Sequence, residues 1–497
     1  MKIYGIDNFS IEEVLEIIQN PKKAKLDKKS KEQILKSYKN VQKIVASDKT
    51  VYGINTGFGP LCDTKISENE TSKLQENLII SHAVGVGKPI AKELSKIMMV
   101  CKIHALSKGF SGISLEVVER LILMLEKDII PVVPEQGSVG ASGDLAPLSH
   151  LVLPLLGYGK VWKNDTPVDT ATALKENGIQ PLKLQAKEGL ALINGTQFIL
   201  AHAIAGLDKF GYLLDLADLA AAMSLEAYQG SASPFKKELH EIRPYKGSKK
   251  VAARMLKFLK GSENLNDHEN CDRVQDPYSL RCVPQVHGAS RNAYTHLKEM
   301  AEIELNSVTD NPIVISSEEA ISGGNFHGQP LAMPLDYATL AAAELGNISD
   351  RRSYLLLEGK YGLPKLLIES SGLNSGFMIP QYTTAALVTE NKTLCFPASA
   401  DSVPTSLGQE DHVSMGSISG RKFNQVLGNL ENIFAVELMF AAQGMEFRRP
   451  LKSTKTIEDN HKIIRSKVAK LEEDRLIGED ILAIAELVKN RKLIVTI

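Results

Sequence analysis

Apolar residues recur at three- and four-residue spacing along most of this chain. "LSKIMMVCKIHALSKG" (94–109) and "LEVVERLILMLEKDI" (115–129) each carry such a stripe. "MPLDYATLAAAELGNISDRRSYLLLEGK" (333–360) sustains it over many turns, and the alanine-rich "LLDLADLAAAMSLEAY" (213–228) adds high helix propensity. Signals with period two are short: "KVWKN" (160–164), "NPIVIS" (311–316) and the C-terminal "KLIVTI" (492–497). The run from Gly189 to Leu207 holds no charge but contains Asn194, Thr196, Gln197 and His202, so it predicts a buried helix rather than a membrane span. Turn-rich stretches at 261–272 ("GSENLNDHENCD") and 372–376 ("GLNSG") read as loops. The pattern predicts a mainly α chain: a long antiparallel helical bundle over 201–497, and a mixed N-terminal portion over 1–200.

Composition narrows the class. Apolar residues make up 43% of the 497 positions and charged residues 24%, ordinary for a soluble globular protein. The net charge of −1 gives no electrostatic reason to expect nucleic acid or an anionic membrane as a partner. The basic stretch "NPKKAKLDKKSKEQ" reads as a solvated helix face or loop. The N-terminus lacks the apolar segment and cleavage site of a secretory signal. Five scattered cysteines without a C-x-x-C pair suit reduced thiols in the cytoplasm and argue against a disulfide framework or zinc site.

One loop stands apart: "GSVGASGDLAPLSH", residues 137–150, with Gly137, Gly140 and Gly143 at every third position ahead of an apolar, helix-like run. The spacing is not that of a dinucleotide fingerprint, and no lysine follows the last glycine as in a P-loop. A tight structural turn is one reading. Another uses backbone chemistry, because glycines permit dihedrals closed to other residues. The Gly143 nitrogen could then attack the Ala141 carbonyl carbon and close a five-membered ring. Loss of water from the ring, and of the Ser142 hydroxyl as a second water, would leave a conjugated methylidene. The product is an electrophile that no unmodified side chain supplies.

The surrounding blocks decide between these readings. "VYGINTGFGPLCDT" (51–64), "LIISHAVGVG" (78–87), "EGLALINGTQ" (188–197), "QDPYSLRCVPQVHGA" (275–289), "NSVTDNPIV" (306–314), "GGNFHGQP" (323–330) and "TSLGQEDHVSMG" (405–416), together with the glycine loop, resemble the aromatic amino acid ammonia-lyases over nearly the whole chain. The resemblance implies that Ala141, Ser142 and Gly143 form 4-methylidene-imidazol-5-one (MIO), with no metal and no dissociable cofactor. The substrate amine would add to the methylidene and become a better leaving group. Ser81-His82 and "QEDHVSMG" look like the histidine branch, whereas phenylalanine lyases resemble Phe-Leu and tyrosine lyases His-Leu at the first pair. The implied reaction is elimination of ammonia from L-histidine to give trans-urocanate, the first step of histidine degradation.

The chemistry of the pocket residues agrees. An imidazole has two ring nitrogens that cost free energy to bury without partners. His82 can donate or accept and Glu410 accepts, so together they can satisfy both. The resemblance further implies that Arg281 clamps the substrate carboxylate, that Asn194 hydrogen-bonds near it, and that Phe326 packs beside the MIO ring. Tyr52, in a glycine-bearing loop, is the candidate for removing the β-proton, with Tyr278 as its competitor. Glu410-Asp411-His412 suggests a metal cluster, but consecutive helical residues point about 100° apart and could not share one ion.

Rival readings are a phenylalanine or tyrosine lyase, an aminomutase with the same electrophile, and a fumarase-type lyase suggested by "SASPFKKELH" (231–240), which lacks the expected continuation. Phe396, Leu407-Gly408 and His287 depart from the histidine-branch pattern. The resemblance also implies a homotetramer whose active sites combine residues of three subunits. Long helices with residual apolar faces would be buried by such an assembly.

Overall fold

A computed structural model describes residues 1–47, 50–57, 59, 68–268 and 273–497. Helices dominate. In chain order they are α1 (Ile11–Gln19), α2 (Lys28–Val45), α3 (Glu68–His82), α4 (Lys92–Ser107), α5 (Leu115–Glu126), α6 (Leu145–Val152), α7 (Thr170–Glu176), α8 (Glu188–Ile193) and α9 (Gln197–Tyr228). There follow α10 (Lys237–Glu241), α11 (Lys246–Leu259), α12 (Glu263–Asp267), α13 (Tyr278–Arg281), α14 (Val283–Leu305), α15 (Gln329–Leu356), α16 (Met378–Leu394), α17 (Gly416–Glu446), α18 (Lys455–Arg465) and α19 (Ile477–Lys489). The mainly α expectation holds.

The chain divides into two compact units. One comprises 1–205, 297–335 and 397–421; the other comprises 206–296, 336–396 and 422–497. All strands among the described residues belong to the first unit. β1 (Lys2–Ile3) pairs in parallel with β2 (Ala24–Lys25), and β3 (Val86–Pro89) pairs antiparallel with β5 (Pro134–Gln136). β4 (Ile130–Pro131), β6 (Lys160–Lys163) and β7 (Thr166–Asp169) form an antiparallel sheet, and β8 (Ile313–Val314) pairs with β9 (Ala320–Ile321).

In the first unit the sequence explains where helices begin. Ser10 caps α1 in a capping box with Glu13, and Asp27 caps α2 with Ser30. α4 is buried on all sides from Ile97 to Ser107, which makes it an interior element despite carrying Lys102 and His104. In the second unit, segments of α9, α14, α15 and α17 are joined by buried polar groups. Glu437 of α17 accepts from Ser224 of α9 and from Ser349 and Arg352 of α15, while His287 of α14 meets Asp218 of α9.

Local expectations change at four places. The uncharged run 189–207 is not one helix: α8 ends at Ile193, Asn194 adopts extended backbone, and α9 starts at Gln197. "KLIVTI" forms no strand among the described residues, since no ladder partner reaches it. α12 lies inside the stretch read as a loop at 261–272, started by Ser262 accepting from the Leu265 N–H, and 269–272 lie outside the described residues. Glu410-Asp411-His412 is not helical: Glu410 bridges Thr405, so the helical spacing argument does not apply to it.

Candidate active site

The glycine loop is strained as its composition suggests. Gly137, Gly140 and Gly143 have φ of 127°, 80° and 81°, and Ser142, which has a Cβ, sits at 51°. Non-glycine residues pay for such backbone conformations and hold them where the surroundings enforce them. Here they do. The Asp144 N–H donates to the Gly195 carbonyl at 2.8 Å, and a Cβ on Gly143 would lie 2.2 Å from that same oxygen. A Cβ on Gly140 would meet Ser414 Oγ at 2.2 Å. Ala141 is buried against Val413 and Met415.

Asp144 fixes the loop from the other end. Its buried carboxylate accepts N–H groups from Phe198 and Ile199, both at 3.0 Å, at the start of α9, and a hydroxyl from Ser138. Burial pushes its pKa up to about 7, outweighing those donors and the field of Lys102.

Ser142 opens into a cavity of about 640 Å³, the size of a small-molecule site. Its lining includes Tyr52, His82, Asn194 and Glu410, with Leu74, Leu78, Leu145, Leu190 and Ile193 as apolar walls. These residues come from separate parts of the first unit: the loop near 52, the end of α3, the end of α8, and segment 397–421. Ser142 Oγ donates to Glu410 Oε1 at 2.8 Å, while Glu410 Oε2 accepts from Thr405 and Ser406 at 3.1 and 2.8 Å. His82 Nδ1 lies 3.0 Å from Ser81 Oγ. Burial holds the His82 pKa below its ordinary value, against the opposing pull of Glu410, which favours a neutral ring. The Gly59 N–H donates to Tyr52 Oη at 3.3 Å. Asn194 Oδ1 is buried without a hydrogen-bond partner among the described residues.

Three expected site residues lie elsewhere. Phe326 is half-buried and is not part of this lining. Tyr278 and Arg281 belong to the second unit, on α13; Tyr278 is 70% exposed, with the Arg281 guanidinium 4.5 Å from its ring centroid. Arg281 Nε donates to the Asp276 carbonyl at 2.9 Å. Sequence reasoning missed Thr405 and Ser406, which occupy one oxygen of Glu410. It also missed Lys102, although a single lysine within "IMMVCKIHAL" is a visible anomaly.

The residues present fit a prosthetic ring made from the chain itself. Gly143 has no room for a side chain, Ser142 is held at positive φ with its hydroxyl in the cavity, and the unpaired Asn194 amide oxygen borders the same space.

Comparison with known proteins gives the lineage. A sequence model of the aromatic amino acid lyase family matches residues 9–466. A histidine ammonia-lyase of Natranaerobius thermophilus is 43% identical over 491 residues, covering 98% of this chain and 97% of that protein. Among solved structures, histidine ammonia-lyase from Trypanosoma cruzi superposes with a TM-score of 0.90 at 40% identity, over 99% of this chain and 94% of the other. A tyrosine aminomutase from Streptomyces globisporus gives 0.93 at 34% identity, over 99% and 97%. With blocks matched in order across almost its full length, this chain belongs to the aromatic amino acid lyase family.

Proposed function

We propose that the chain eliminates ammonia from L-histidine to give trans-urocanate, using MIO formed from Ala141, Ser142 and Gly143. The observation that carries this reading is the placement of strained Ser142 in one cavity with His82 and Glu410. The histidine ammonia-lyases at 43% and 40% identity support the same substrate.

Once formed, the ring would supply an electrophilic methylidene that turns the amine into a better leaving group. The chain's own residues do the rest. The neutral His82 ring and the Glu410 carboxylate bind the substrate imidazole, since each can meet one ring nitrogen. Loss of the Ser142 hydroxyl would free Glu410 Oε1, the oxygen it occupies in the unmodified chain, for that purpose. A phenyl ring would leave both of these polar groups unpaired, which disfavours the phenylalanine readings, and a phenol offers one oxygen where the imidazole offers two separated nitrogens. Leu74, Leu78, Leu145, Leu190 and Ile193 give the cavity apolar walls against which the rest of the substrate can pack. Tyr52 takes the β-proton, its oxygen already positioned by the Gly59 N–H. Asn194 holds the carboxylate end.

Arg281 and Tyr278 would complete the site from neighbouring copies in a homotetramer, consistent with the 70% exposure of Tyr278 and the 97% exposure of Val274. Phe326 would shield the ring in that assembly. We infer a cytoplasmic location from the free thiols of Cys101, Cys282 and Cys395. No described helix is long and apolar enough to cross a membrane.

Intact mass with peptide mapping of 137–150 tests the ring, and a urocanate assay comparing histidine with phenylalanine and tyrosine tests the substrate. A two-water deficit at Ala141–Gly143 with a histidine preference is expected. An unmodified loop in folded protein, or a preference for tyrosine, would overturn the proposal.

A further inference from the structure

Behind the strained loop lies a buried cation with no part in the mechanism above. Lys102 of α4 is 2% exposed. Its Nζ donates to the Asn194 carbonyl at 2.7 Å and the Ala191 carbonyl at 3.4 Å. The Ala191 carbonyl belongs to the last turn of α8 and lacks an intrahelical partner, while the Asn194 carbonyl lies just beyond that helix, in the extended residue that follows it. Residues 194 and 195 are also the surface against which the loop is pressed: the Gly195 carbonyl accepts the Asp144 N–H, blocks any side chain on Gly143, and forms a parallel bridge with it.

We propose that Lys102 is a positioning residue for ring closure, fixing the Asn194–Gly195 backbone so that Gly143 is held against the Ala141 carbonyl. The inference rests on the MIO reading. Its chemistry balances within the chain. The Gly143 nitrogen bonds to the Ala141 carbonyl carbon, and that oxygen leaves as water with the amide hydrogens of Gly143 and Ser142. The Ser142 hydroxyl leaves as a second water with its Cα hydrogen. Closure thus needs no oxidant and no added reagent, only a loop that cannot relax away from its compressed geometry.

A charge is used here although it is expensive to bury. Its field partners are Asp310, which is paired with Lys187 at 2.6 Å, and Asp144; Lys187 opposes them. Two lysines and two aspartates therefore share the interior behind the loop, and burial pushes Lys102 and Asp144 toward their neutral forms. Desolvation lowers the Lys102 pKa to about 7, which the Asp310 and Asp144 carboxylates only partly offset. A charge-assisted hydrogen bond to a carbonyl is stronger than a neutral one, so the ammonium grips Asn194 more firmly than an uncharged donor could.

The test follows maturation directly. Wild-type protein, Lys102→Met and Lys102→Arg are purified, checked for native helix content, and their two-water deficit at 137–150 is followed by intact mass after refolding. Wild type and Lys102→Arg should mature fully. Lys102→Met should fold but mature about ten- to a hundredfold more slowly, the loss of one charge-assisted hydrogen bond at the barrier. Folded Lys102→Met that matures at the wild-type rate would overturn the proposal. Wild type that never loses two waters would overturn the MIO reading instead, so the two failures are distinct. If Lys102→Met does not fold, the pH profile carries the test. Asp144 titrates in the same range in both proteins, so the readout is the difference: wild-type maturation should slow more steeply than that of Lys102→Arg as pH rises through about 7, because only the lysine loses its charge. Parallel profiles for the two would overturn it.

Discussion

Asp144 and Asp218 are both fully buried, yet they are driven in opposite directions. Asp144, behind the cavity in the first unit, faces backbone N–H groups, one serine and the field of Lys102, and burial wins: its pKa rises to about 7. Asp218, in the second unit, also suffers burial, but the bond from His287 at 2.8 Å and the nearby charges of Arg291 and Arg254 bring it down to about 2. Beside Asp218, Glu437 has both oxygens taken, by Ser224 and Arg352 Nε on one and by Ser349 and Arg352 Nη2 on the other. Around Ser142, by contrast, Asn194 Oδ1 has no hydrogen-bond partner among the described residues, and His82 is pushed toward neutrality. The polar cluster of the second unit is closed at its carboxylates, although Arg291 Nε lacks a partner among the described residues, and it joins the helices that carry it. That of the first unit is left open, as a site awaiting a ring and a substrate would be.

Ser142→Ala should separate the two clusters most strongly. The open cluster should lose function without losing fold: turnover should drop on the order of 10⁴-fold or more, the scale seen when a covalent catalytic group is removed. The unfolding midpoint should barely move. Retained urocanate formation would show that the loop is only a turn. The closed cluster should behave oppositely. Arg352→Met strands the Glu437 carboxylate and should cost about 3–5 kcal/mol in denaturant unfolding, whereas Arg352→Met with Glu437→Leu should recover much of that loss. A single substitution tolerated within experimental error would show that the Glu437 cluster does not hold the helices.

The two clusters were not equally legible in the sequence. The open one was, once the family blocks around it were read: glycines at every third position and serine at the tightest point fit a plain tight turn as well as a cyclising loop. Ser81-His82 and Glu410 were legible through the family blocks around them. The closed cluster was not. Asp218, Arg352 and Glu437 sit in ordinary amphipathic or alanine-rich stretches, and only helix packing brings them together; His287 appeared merely as a departure from the branch pattern. The mainly α character followed from periodicity, but the break at Asn194–Thr196 did not, since an uncharged run reads equally well as one buried helix or as two. The return of 397–421 to the first unit, which carries Glu410 to Ser142, is a long-range placement that no local pattern encodes. Arg281 and Tyr278 mark another limit: a motif names a residue, but not the unit of the fold that will carry it, and both lie in the second unit, away from the Ser142 cavity lining.

The smallest effect tests the electrostatic contrast itself. An aspartate whose folded pKa lies below its unfolded value contributes stability that is present above the unfolded value and lost as pH falls through the folded one. For Asp218 that window runs from 3.8 down to about 2, and the contribution at neutral pH is about 2 kcal/mol. Asp144 has the reverse sign. Its folded form keeps a proton that the unfolded chain has released, so its contribution falls as pH rises from 3.8 through about 7. Thermal unfolding of wild type, Asp218→Asn and Asp144→Asn across acid and neutral pH separates them. Asp218→Asn should weaken the protein at neutral pH and flatten the acid limb. Asp144→Asn should flatten the decline toward pH 7 while leaving the acid limb in place. If instead both variants shift the same limb in the same direction, the two aspartates feel similar surroundings, and the division into a closed and an open cluster fails at its electrostatic root.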